Sequence, residues 1–315
     1  MNLLEKLRFT DRGIIFSIRR KVVGTGLGRR LANWILYRPG MDDRSYLIKK
    51  YKETFGVTPD LDSPKNFNEK NNWRKLYDRN PLYTRMVDKY QAKLLVEERV
   101  GDGHTFPLLG VWDNPEDIRL DLLPDKFVLK VNHAGGIIVC KDKKTFNFTE
   151  AIDELKQQMS TDYYIRFREW AYKDVRRKVI CEQYMGENLT DYKNYCFNGK
   201  LMYTFVWENL SREDGRKPQA TFCGAYDRDW NLVDIELGYP SSNKVIKKPD
   251  SYSEMVSIAE KMAEGTPFVR VDCYNIGGKA YVGEMTMYPW AGLMRFKDEN
   301  WNNKFGEFEK LPYEE

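Results

Sequence analysis

Residues 268–289 read FVRVDCYNIGGKAYVGEMTMYP, two alternating runs of apolar and polar residues on either side of a Gly-Gly pair. The pattern predicts a β-hairpin, yet Asp272 and Glu284 sit among valine, tyrosine and methionine. A carboxylate taken out of water is costly unless it is paired, hydrogen-bonded or bound to a cation. The register decides what the two acids do. A two-residue turn at Gly277 and Gly278 pairs Asp272 with Gly283 and sends Glu284 to the other face. A three-residue loop from Gly277 to Lys279 sets Asp272 opposite Glu284. The three-residue loop is the expectation, with Val271, Val282, Met285 and Met287 on the core face. Arg270 then lies beside two facing carboxylates, hard oxygen ligands that suit Mg²⁺ bridging nucleotide phosphates. A surface ion pair with Arg270 is the plainer alternative.

The rest of the 315-residue chain limits the chemistry. With 42% hydrophobic and 31% charged residues it is globular, long enough for one large core or two to three smaller ones. Five scattered cysteines, never in a CxxC spacing, argue against a disulfide framework and a zinc site. They read as small buried hydrophobes. Two histidines are too few for a His-rich metal centre, and no G-x-S-x-G motif suggests a hydrolase. Metal chemistry, if present, must therefore use carboxylates. The net charge of +4 is uneven: in residues 1–40 nine bases stand against Glu5 and Asp11. The remainder is acidic overall, which excludes a general nucleic-acid binder. The basic segment, with Leu3, Leu4, Ile14, Ile15 and Phe16 among its arginines, can lie on an anionic membrane surface or pack on the protein body. Its longest uncharged run, GIIFSI, is too short to span a bilayer.

Along the chain, helix-start signals at Asp62 or Ser63 open one helix, and a second is expected from Pro81 to Gly101. Short strands follow, then a helix at TEAIDELKQQMS, the strand RKVICEQYM, and a hairpin around Asn198 and Gly199. Hairpins mixed with helices make this an α+β chain and not a doubly wound parallel sheet.

Two further constellations carry chemistry. In KFVLKVNHAGGIIVCKD, Lys130 ends an apolar strand before Gly135 and Gly136, a loop whose amides can approach phosphate oxygens. An ordinary hairpin with a solvated lysine looks the same. In VICEQYMG an extended strand ends in Glu182, Gln183 and Tyr184, where free backbone groups can read an adenine edge, or which is simply a buried strand.

In order, Lys89 on a helix, Lys130 before a glycine loop, Glu182 at a strand end, then RVD and GEMTMYP on a hairpin resemble the ATP-grasp superfamily. FNEKNNWRKLYDRNPLYTRMVDKY, PDKFVLKVNHAGG, DYKNYCFNGK and the opening hairpin are similar to its TupA-like branch, named for teichuronopeptide biosynthesis, over about residues 63–312. The resemblance implies an ATP-grasp fold of two antiparallel α+β subdomains clamping nucleotide. Its divisions would be a basic amphipathic segment (1–40), a helical region (41–125), a lid subdomain (126–190) and a C-terminal subdomain with the metal-binding hairpin (191–315).

It also implies roles. Lys89 and Lys130 hold ATP phosphates under the Gly135 and Gly136 loop. Glu182, Gln183, Tyr184 and Met185 form the adenine hinge, and Asp191 reaches the ribose. Asp272 and Glu284 carry Mg²⁺, with Thr286 where many relatives have asparagine, which puts a second metal position in doubt. Arg270 stabilises the transferred phosphoryl group, and Lys193 and His133 face the acceptor. The implied enzyme is an ATP- and Mg²⁺-dependent carboxylate-amine ligase of cell-surface polysaccharide biosynthesis, forming an amide on a uronic or amino acid through an acyl phosphate. It would be cytoplasmic, peripheral on the inner membrane face through the basic segment, and would take sugar-linked substrates but no nucleic acid. The competing reading is a metal-dependent glycosyltransferase, from the D-x-D of Asp227 and Asp229.

Overall fold

The computed structural model describes residues 40–210, 219–238 and 244–312. The basic segment thus lies outside the described residues, apart from Gly40. Helices α1 (Asp43–Phe55), α2 (Phe67–Tyr77), α3 (Leu82–Val87) and α4 (Lys89–Arg99) come first. Next are β1 (Leu108–Trp112), β2 (Phe127–Val131), β3 (Ile138–Cys140), α5 (Phe148–Met159), α6 (Tyr163–Phe167) and β4 (Val179–Gln183). The second half holds β5 (Thr190–Phe197), β6 (Lys200–Leu210), β7 (Gln219–Asp227), β8 (Leu232–Val233), α7 (Tyr252–Ala263), β9 (Phe268–Ile276), β10 (Lys279–Thr286) and α8 (Asn300–Phe308). The strands form a four-stranded sheet ordered β1-β4-β2-β3 and a six-stranded sheet ordered β10-β9-β5-β6-β7-β8. Every pairing between these strands is antiparallel, the α+β architecture expected. Strand β1 lies in the smaller sheet although it precedes residue 126.

Alternation along the strands sorts the large sheet into two faces. On β5 and β9, Tyr192, Cys196, Val269, Val271 and Cys273 pack into a core with Met255, Ile258 and Met262 of α7 and Met86, Leu95 and Val96 of α3 and α4. The opposite face carries Tyr195, Phe197, Phe205 and Phe268 against Phe67 of α2 and Phe305 of α8. All five cysteines are free and buried.

The hairpin departs from the expected register device. Its turn holds two residues, Gly277 and Gly278, both at positive φ (59° and 79°), so Lys279 pairs with Ile276 and Val282 with Cys273. The extra residue lies further along, as a β-bulge at Gly283, after which Glu284 pairs with Asp272 and Thr286 with Arg270. Glycine fits because a Cβ there would lie 2.5 Å from the Tyr274 ring. The bulge also explains how Val282 and Met285, three apart, both reach the core, which strict alternation forbids.

Two helix boundaries also differ. α2 starts at Phe67, capped by Asn66 and Glu69 in a reciprocal capping box, because Pro64 disfavours helix at Ser63. The single helix expected from Pro81 breaks at Asp88, which is extended (φ −74°, ψ 108°) and caps α4 through Tyr90 N and Gln91 N. Replacing Gly283 with alanine forces the Tyr274 ring or the bulge to move, and should lower stability in urea unfolding by about 1–3 kcal/mol.

Candidate active site

The break at Asp88 places Lys89 at the first turn of α4, and the end of β2 holds it there. Asn132, fully buried, donates from Nδ2 to Asp88 Oδ1 (2.9 Å), while its carbonyl accepts from Lys89 N (3.0 Å). This latch fixes Lys89 relative to Lys130, two residues before Asn132 on the strand. One turn along α4, Lys93 shares the face of Lys89. Lys93 and Lys130 each hold one oxygen of the buried Glu182 carboxylate at 2.6 Å. Burial raises the Glu182 carboxyl, but the two lysines outweigh it and the net shift is downward. Burial pulls the Lys89 and Lys93 ammonium groups below their usual range.

Facing them, the bulged hairpin and β5 present a charged row. Asp191 and Lys193 stand on the same face of β5, and Lys193 pairs across with Asp272. Lys193 Nζ lies 2.5 Å from Asp191 and 2.7 Å from Asp272. Arg270 grips Asp272 with two bonds (2.6 and 2.7 Å) and reaches Glu284 at 3.4 Å. Lys89 Nζ approaches Glu284 at 3.8 Å and donates to the Ala134 carbonyl in the glycine loop (3.1 Å). Burial works against the Glu284 carboxylate, but Lys89, Arg270 and Lys193 together hold its pKa well below the usual range. Burial instead pushes Asp191 up to about 6 despite Lys193. Its Oδ1 is buried with no hydrogen-bond partner.

Segment 104–107 joins the two sheets. Val282 N donates to the His104 carbonyl, Lys93 to that of Phe106 and Gln183 N to that of Pro107. Lys89, Lys93, Lys130, Lys193 and Arg270 thus meet Glu182, Asp191, Asp272 and Glu284 where the sheets approach.

For Mg²⁺ the test is geometric. Among the described residues no group of three or more His, Cys, Asp and Glu side chains could hold a metal. Asp272 and Glu284 do converge on one positive charge, the Arg270 guanidinium. Two protein carboxylates, completed by phosphate oxygens and water, are a normal Mg²⁺ site, so the residues fit. Thr286, opposite Arg270, can add only a neutral hydroxyl.

Other expected residues fall into place differently. The Glu182 side chain turns inward to the lysines, and Gln183 is already in the sheet, paired with Phe127 and donating its N–H to the Pro107 carbonyl. His133 does not open onto the charged row: it is 2% exposed, its Nε2 lies 3.2 Å from the Thr161 carbonyl, and burial drops its pKa to about 4. Gly135 and Gly136 sit exposed between β2 and β3. Asp227 holds a turn, accepting from Asp229 N, Asn231 N and Asn231 Nδ2, and Arg228 pairs with Glu260. That geometry leaves the D-x-D without a metal-binding role. Lys93 and Asn132 went unnoticed in the sequence, although the four-residue spacing of Lys89 and Lys93 was visible there.

Two antiparallel sheets meeting over a lysine-lined, carboxylate-bearing row define an ATP-grasp protein. A family described as TupA-like ATPgrasp matches residues 69–310, and the chain belongs to that family. Similar solved structures include the D-alanine–D-alanine ligase of Helicobacter pylori (14% identity, 78% of this chain, 70% of that one, TM-score 0.46). That of Bacillus anthracis complexed with ATP is 17% identical over 64% of this chain and 53% of its own (TM-score 0.37). An L-amino acid ligase from Bacillus licheniformis is 9% identical, covering 78% and 55% (TM-score 0.43). The chain thus spans 53% to 70% of the length of these ligases. No curated protein matches it.

A buried neutral histidine resists protonation, so the contribution of His133 to stability is present above its unfolded value near 6.5 and is lost as pH falls toward 4. Replacing His133 with asparagine should flatten the fall in melting temperature between pH 6.5 and 4.

Proposed function

We propose that the chain is an ATP- and Mg²⁺-dependent carboxylate-amine ligase that forms an amide on a uronic or amino acid group during cell-surface polysaccharide synthesis. The observation that carries this reading is the opposed Asp272 and Glu284 pair, sharing Arg270 and approached by Lys89 from the first turn of α4. A substrate carboxylate oxygen attacks the γ-phosphorus of ATP, the bond to the ADP oxygen breaks, and an acyl phosphate forms. An amine nitrogen then attacks the acyl carbon, phosphate leaves with the bonding pair, and the nitrogen loses a proton.

Lys89 and Lys130 bind the phosphates, and Lys93 acts through Glu182 as a positioning residue for Lys130. The Gly135 and Gly136 loop covers the site and excludes water from the acyl phosphate. Asp272 and Glu284, with Thr286, would hold Mg²⁺, which when bound neutralises phosphate charge. Arg270 stabilises the developing charge and Lys193 orients the substrate carboxylate. Asp191 reaches the ribose or, through Lys193, the acid. No described helix is long and apolar enough to cross a membrane, and the basic segment 1–40 is proposed as the contact with an anionic membrane surface.

With Mg²⁺, ATP in hundredfold excess over its dissociation constant should stabilise the protein by roughly 3 kcal/mol in a thermal-shift series. The Asp272→Asn, Glu284→Gln double variant should lose that shift, and Lys130→Met should lower turnover by at least about 100-fold, roughly 3 kcal/mol of transition-state stabilisation. Stabilisation by a UDP-sugar and not by ATP overturns the reading.

A further inference from the structure

Just beyond the hairpin the chain passes through Trp290 (φ 53°), Ala291 (φ 56°) and Gly292 (φ 67°), three consecutive left-handed residues of which two carry side chains. Such conformations are disfavoured for L-residues and persist where surrounding structure holds them. Here the brace is a row of buried polar side chains on α2. Lys75 Nζ donates to the Ala291 carbonyl (2.6 Å) and Asn72 Nδ2 to that of Gly292 (2.8 Å). Asn68 exchanges two 2.8 Å bonds with Met294 N and O.

What this brace aims is the indole of Trp290. The ring is 40% exposed, and its centroid lies 6.1 Å from that of Trp207 on β6. Trp207 pairs across the sheet with Asp191, the end of the charged row. We propose that Trp290 is the stacking platform for the sugar ring of a uronic acid substrate. This rests on the ligase reading above and selects the uronic acid over the ring-free amino acid. An indole face is electron-rich and takes the C–H face of a pyranose. The ring's carboxylate then extends along the row toward Lys193 and Arg270. A small acid without a ring has nothing to lay on it. A ring that only shields Trp207 could be supplied from a relaxed turn.

The test is hydroxamate formation with ATP, Mg²⁺ and hydroxylamine, which traps the acyl phosphate without the native amine. Methyl β-D-glucuronide is the sugar acid, with L-glutamate and D-lactate as ring-free acids. The wild type should form hydroxamate from the glucuronide. Trp290→Ala should raise the glucuronide KM by about tenfold or more and leave the ATP KM within about twofold, and Trp290→Phe should restore most of the loss. Trp290→Leu keeps an apolar cover over Trp207 without an aromatic face, so stacking predicts that it behaves as alanine. A leucine variant with wild-type KM overturns the platform, as does hydroxamate from the ring-free acids alone, and both leave the ligase reading standing. Hydroxamate from none of the acids, with no stabilisation by ATP, overturns the ligase reading and the platform together.

Discussion

One inserted residue, Gly283, determines which side of the large sheet carries charge. Side chains on a strand alternate with a period of two, so a slip of one residue exchanges the faces. Before the bulge Val282 faces the core; after it Met285 does, and Glu284 is left opposite Asp272. Were Gly283 paired as a regular strand residue and not bulged out, Glu284 would turn to the core and Met285 away from it. The Tyr274 ring beside the bulge keeps the position to a residue without a side chain.

The charged row that results is ion-paired internally, with one cation in excess, before any ligand arrives. Five cations and four carboxylates lie together, all but Glu284 with little solvent access, where an unpaired charge is strongly unfavourable. Arg270 and Lys193 pair with the carboxylates assigned to Mg²⁺, and Glu182 pairs with Lys130, assigned to phosphate, and with Lys93, which positions it. In the proposed ligase, binding Mg²⁺ and nucleotide would be an exchange of ionic partners: the cations released from Asp272 and Glu284 would become available to phosphoryl and carboxylate oxygens. The protein need not desolvate bare charges at the moment of binding, and its donors are already oriented.

Much of this was legible in the sequence because it rests on local pattern. Period-two alternation revealed the antiparallel hairpins, and acids in apolar strands revealed the row. The pairing of Asp272 with Glu284 was read correctly from a mistaken device, since a loop of three residues and a bulge after a loop of two give the same partners. The break at Asp88 was hidden because the flanking residues are good helix formers, and what stops the helix is Asn132, 44 residues later in the chain. His133 resembled a site residue by position, but its orientation is set by Thr161, which no local pattern specifies.

The polar side chains of α2 bear on the order in which the protein can be made. Arg74 bonds the carbonyls of Phe268 and Met287 and the Glu309 carboxylate, Lys70 the Glu309 carbonyl, and Asn68 the backbone of Met294. Every one of these partners lies near the C-terminus, about 200 residues downstream. At roughly 5–20 residues per second of synthesis, α2 waits about 10–40 s with its buried cation and amides unsatisfied by their native partners. The N-terminal third therefore cannot mature as an independent unit, and a chain that stops short of Glu309 leaves the innermost arginine with Asp78 as its remaining carboxylate partner.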